Sequence, residues 1–87
     1  MVPIEILQDL QKRPFEPFRF EISDGTHYDV MHPELCMVGL SSVVIGLAPD
    51  PATPLYDRTI KIDCSHIVKQ IPLPSQAKPG TNGQQSD

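Results

Sequence analysis

Phe18, Phe20 and Ile22 alternate with Arg19, Glu21 and Ser23, and Tyr28 and Val30 resume the alternation beyond Asp24-Gly25. Apolar residues at every second position on both sides of a turn dipeptide specify a β-hairpin with one dry face. Two turns compete for it. A two-residue Asp24-Gly25 loop pairs Ile22 with His27 and Phe20 with Asp29, which mixes polar and apolar side chains on one face. A three-residue loop, Ser23-Asp24-Gly25, pairs Ile22 with Thr26, Phe20 with Tyr28 and Phe18 with Val30. A one-residue slip sends every side chain to the other face, so the second register is the one that keeps the apolar set together. It also places Gly25 at the left-handed bulge position that such loops require.

The flanking segments add a helix and more strands. Pro3 suits a first helical position, and Ile4, Leu7 and Leu10 form a stripe opposite Glu5, Gln8, Asp9 and Lys12. A helix is therefore expected over residues 3–12, ended by Pro14. His32-Pro33-Glu34 reads as a corner. Strands are expected over 35–40, 43–48, 56–63 and 67–71, with a proline-rich loop between the second and third of these. Tyr56, Arg58, Ile60 and Ile62 are expected on one face of the third. Cys64-Ser65-His66 reads as a short turn before the last strand.

A helix followed by several short antiparallel strands in so few residues implies a mainly β fold with one N-terminal helix. Its form is a small SH3-like or Sm-like barrel, or a strongly bent antiparallel sheet. The alternative is an open α+β sheet with the helix across one face. The domain is expected over residues 1–71. Residues 72–87, rich in Pro, Gly, Gln and Ser with Leu73 as the one large apolar residue, read as a disordered tail.

Within the chain, Arg13-Pro14-Phe15-Glu16-Pro17-Phe18, Asp24-Gly25 and Val30-x-His32-Pro33-Glu34 resemble the signature of a family of small uncharacterised bacterial proteins. Val38-Gly39, Ser42-Val43-Val44-Ile45-Gly46, Leu55-Tyr56-Asp57-Arg58 and His66-Ile67-Val68 resemble its later blocks. The resemblance covers about Ile4 to Leu73. It implies membership and brings no activity, cofactor or catalytic residue with it.

The residues themselves offer few chemical groupings. His32, Glu34, Cys36, Cys64 and His66 are the metal-ligating types that the fold could gather, with His27 more distant, but their spacing lacks the paired ligands of structural zinc sites. No metal or cofactor is therefore expected. Cys64 and His66 are a nucleophile and a base close in sequence, which by itself makes no catalytic pair. No glycine-rich phosphate loop is present. The expectation leans away from an enzyme and towards an interaction or assembly module, with Phe15, Tyr56 and Arg58 as candidate contact residues for a second copy or another protein.

Sm-like nucleic-acid binding is the alternative, and a small metal-binding protein or enzyme the next. The formal net charge of −4 argues against phosphate backbones and anionic membranes. Val43-Val44-Ile45-Gly46-Leu47-Ala48 is too short to span a bilayer. No basic, apolar leader is read at Met1, and two isolated cysteines suit reduced thiols, so a cytoplasmic location is expected.

Overall fold

The hairpin forms in the bulged register. In this computed structural model, which describes residues 1–74, β1 (Phe18–Ile22) pairs with β2 (His27–Val30) so that Phe18 faces Val30 and Phe20 faces Tyr28. The Ile22 amide donates to the Thr26 carbonyl at 2.9 Å, and the Gly25 amide donates to the Ile22 carbonyl at 2.9 Å. Gly25 has φ +92°, a region that a side chain strongly disfavours. Asp24 locks the loop, accepting from the Thr26 amide at 3.0 Å and hydroxyl at 2.6 Å. Those two donors hold its carboxyl below the usual carboxylate range. Inside, Phe18, Phe20 and Val30 are buried, with the Phe18 and Phe20 rings edge to face at 5.1 Å. Outside, Arg19 bonds Asp29 at 2.7 Å across the strands.

β6 (Ile67–Pro72) lies along the other edge of β1, giving an antiparallel sheet in the order β2-β1-β6. β3 (Cys36–Val38), β4 (Ser42–Leu47) and β5 (Arg58–Asp63) form a second antiparallel sheet in that order. The corner at His32-Pro33-Glu34 links the sheets. Pro33–Leu35 makes one 3₁₀ turn, and Pro33 has no amide for a ladder, so β2 cannot run straight into β3. A second 3₁₀ turn, Cys64–His66, joins β5 to β6; Asp63 caps it, accepting from the Ser65 amide at 2.9 Å. The architecture is mainly β with one N-terminal helix, as a strongly bent antiparallel sheet. Among the described residues the strands are divided between two sheets at these 3₁₀ breaks, and the sheets do not close into a barrel. Nor is it one open sheet with a helix on a face.

Several bounds differ from expectation for tertiary reasons. The strand expected over 35–40 shrinks to Cys36–Val38, since Leu35 belongs to the corner and Leu40 to the next turn. β5 starts at Arg58, so Tyr56 lies in the preceding loop; only Ile60 and Ile62 of the expected face turn inward, and Arg58 is exposed. Pro72 closes β6, and the Leu73 amide donates to the Pro17 carbonyl at 3.0 Å. The tail expectation otherwise falls on residues 75–87, outside the described residues.

The helix α1 (Pro3–Leu10) is shorter than expected and rotated. Ile6 and Leu10 are buried among the strands, whereas Ile4 is 55% and Leu7 36% exposed. The helix is capped at Gln11, and beyond it Arg13 Nη1 donates back to the Leu10 carbonyl at 2.9 Å and the Lys12 carbonyl at 2.7 Å. The core shared by both sheets and the helix contains Ile6, Leu10, Phe18, Phe20, Val43 and Ile45. Gln70 on β6 holds the helix from the side through its amide and Asp9 Oδ2, 2.6 Å apart.

Candidate functional site

The metal-ligating side chains do not gather at one point, although Cys36 and Cys64 share the core close enough to interact. His32, half-buried at the corner, has Nε2 2.9 Å from the Pro51 carbonyl oxygen. Glu34 is exposed beside it, while Cys36 points into the core from β3. Cys64 is buried at the second 3₁₀ turn, and His66 is exposed, its Nδ1 3.3 Å from Ser23 Oγ. His27 stands exposed on β2 opposite Glu21. Among the described residues, no three His, Cys, Asp or Glu side chains converge on a point that could hold a metal ion.

Neither does the Cys64-Ser65-His66 run assemble a nucleophile and base. The Cys64 thiol faces the core, the Ser65 hydroxyl donates to Asp63 Oδ1 at 2.7 Å, and His66 turns to Ser23. Ser65 also holds the Asp63 carboxyl below its usual range. His66, Ser23, Asp24, Lys61 and Asp63 border an open mouth of about 520 Å³ over half-buried Ile22, Tyr28 and Ile60. Its carboxylates are already occupied by Thr26 and Ser65.

The buried thiols are free. Burial, with a smaller contribution from Cys64, pushes the Cys36 thiol up from about 9 to about 11. A thiolate is the reactive form, and burial holds Cys36 as the thiol at neutral pH. The sign of its linkage is definite. Between about pH 9 and pH 11 the unfolded chain loses this proton while the folded chain keeps it, so rising pH favours unfolding by up to about 3 kcal/mol. Urea midpoints at pH 8 and pH 10.5 are expected to fall further in the wild type than in Cys36→Ala. Equal falls would show that Cys36 ionises alike in both states.

Phe15, Tyr56 and Arg58 serve different surroundings. Phe15 is half-buried and packs edge to face on Phe18 at 5.9 Å. Tyr56 and Arg58 are exposed around the start of β5, with Tyr56 laid against Gly46. Of the basic side chains, Arg19 bonds Asp29, Lys12 lies between Asp9 and Glu16, and Arg58 sits 4.0 Å from Asp57. Arg13 is spent on helix carbonyls.

One surface was not legible from sequence. Pro3, Ile4, Leu7, Val38, Gly39 and Leu40 line an open groove of about 380 Å³ between α1 and the β3–β4 turn. None of the six is charged. Leu40 is 100% exposed, at a turn that Gly39 closes by donating to the Ser42 carbonyl at 2.7 Å. The available signal was a leucine between Gly39 and Ser41-Ser42 at a hairpin turn, together with more apolar positions in α1 than one stripe uses. A larger groove, about 530 Å³, runs by Met31, Leu35, Leu47 and Leu73, but Pro74, the last described residue, forms part of its wall. Compared with known proteins, the chain matches no family model, no curated protein and no solved structure.

Proposed function

We propose that this domain is a non-catalytic protein-interaction module that docks through the uncharged groove between α1 and the β3–β4 turn. The observation that carries the reading is the exposure of Ile4, Leu7 and Leu40 around one concavity. Scattered surface apolar residues need no explanation, but a contiguous set around a groove marks a docking site. The path of the chain supports kinship with the small SH3-like barrels. A hairpin bends through a corner into a second meander, and after a 3₁₀ turn the last strand returns beside the first. Membership of the small bacterial family, and residence in a reducing cytoplasm where Cys36 and Cys64 stay as thiols, belong to the same reading. Nucleic acid is the weaker reading: Lys12, Arg13 and Arg19 are engaged within the chain, which leaves exposed Arg58, Lys61 and Lys69 to hold phosphates against a net charge of −4.

The Leu7→Gln/Leu40→Ser variant separates docking from folding. Gln keeps helix propensity close to that of Leu, and surface positions tolerate change, so dilute protein is expected to lose under about 1 kcal/mol. Binding of an apolar fluorescent dye is expected to fall severalfold. A loss above about 3 kcal/mol, typical of a core leucine, would place these side chains in the fold and end the proposal.

A further inference from the structure

The groove has an identifiable occupant, given that it is a docking face at all. We infer that it is a second copy of this chain, related by a two-fold axis that seats each copy's Leu40 against the other's Ile4 and Leu7.

The segment that follows Pro74 in this sequence is a poor fit. Residues 75–87 contain no Val, Ile, Leu, Met, Phe or Tyr, and they continue from Pro74, which walls a different groove. Ala77 and Pro79 are its only apolar side chains, and both are too small to fill an apolar lining.

The second copy fits because knob and groove adjoin. Leu40 stands fully exposed on a turn fastened at both ends. Gly39 donates to Ser42, and the Ser41 carbonyl accepts from the Cys64 amide at 2.9 Å. A knob on fixed backbone loses little conformational freedom on docking. The groove beside it is lined by Ile4, Leu7 and Val38. A surface carrying both halves is self-complementary, and one two-fold rotation satisfies both halves and closes the assembly at two.

Charge agrees. The chain has 11 acidic and 7 basic residues, so copies repel at most approaches. The six lining residues carry none of that charge, so the groove itself sets no like charges against each other. Size sets the strength. A standard stable interface takes roughly 20–30 residues a side. Six lining residues and their immediate rim make a smaller one, of the weak and transient class.

Sedimentation equilibrium of the full chain, from about 1 µM to 1 mM, tests this by mass action. The wild type is expected to pass from monomer to dimer across that range. Leu40→Asp is expected to weaken the dimer at least about tenfold, by burying an unpaired charge. Val68→Asp alters an apolar residue of β6 that is 60% exposed and outside the groove, and is expected to leave the dimer intact. A monomer throughout, assembly beyond two, or equal effects of the two substitutions would overturn the inference. A monomeric wild type whose Leu7→Gln/Leu40→Ser variant keeps its stability overturns the second copy alone and leaves the groove to a different protein. A destabilised double variant overturns both readings.

Discussion

Phe20→Ala is expected to leave a large fraction of the chain unfolded at 25 °C. Phe20 has no exposed surface and sits in β1, the central strand of its sheet, between Tyr28 on β2 and Gln70 on β6. Its ring meets Phe18 and helps to fill the space beneath the helix. Truncating a buried phenylalanine removes its transfer free energy and leaves a cavity, together about 3–5 kcal/mol. A domain of this size has a total stability of only about 4–10 kcal/mol. The loss is therefore comparable to the whole margin. Phe15→Ala provides the contrast: the ring is half-buried at the edge of the same cluster, and about 1–2 kcal/mol is expected. Urea unfolding followed by far-UV circular dichroism measures both. A Phe20→Ala protein that unfolds within about 1 kcal/mol of the wild type would mean that the hairpin's inner face is wet.

The hairpin was legible because two constraints met in one register. The alternation of Phe18, Phe20, Tyr28 and Val30 demanded a three-residue loop, and Gly25 stood where that loop needs a left-handed residue. The corner at Pro33 and the turn at Cys64-Ser65-His66 were legible for similar local reasons. The helix phase was not. Ile4, Ile6, Leu7 and Leu10 cover an arc wide enough for more than one centre, and the strands beneath select Ile6 and Leu10. That choice leaves Ile4 and Leu7 at the surface and creates the groove, so an error in phase concealed the candidate site. Closure was hidden for another reason. Whether β5 meets β6 depends on the path of a few turn residues between them, and no periodicity encodes that path.

Gly46→Val is where strand propensity and packing predict opposite signs. Gly46 lies inside β4, the central strand of its sheet, paired with Thr59. Glycine weakens a strand interior, and valine is among the best strand formers, so propensity alone forecasts a gain of up to about 1 kcal/mol. Packing forecasts a loss. A Cβ on Gly46 would lie 3.0 Å from Leu35 Cδ2, 3.1 Å from Tyr56 Cγ and 3.2 Å from Tyr56 Cβ. The Leu35 methyl is the end of a movable side chain, though a buried one. Tyr56 Cβ and Cγ sit close to the backbone of a loop that is pinned where the Asp57 amide donates to the Leu47 carbonyl at 3.2 Å. That loop must lift before valine fits, and overpacking of this kind costs about 1–3 kcal/mol or more. Packing should win, because the crowding involves three atoms at once while the propensity gain is a single small preference. Gly46→Ala is expected to lose less, and Tyr56→Ala, which removes the ring, should restore at least about 1 kcal/mol of the Gly46→Val loss in a double-mutant cycle. Urea midpoints of the four proteins measure the coupling. A Gly46→Val protein more stable than the wild type would show that Tyr56 does not rest on β4, and that the loop before β5 is free to leave the sheet.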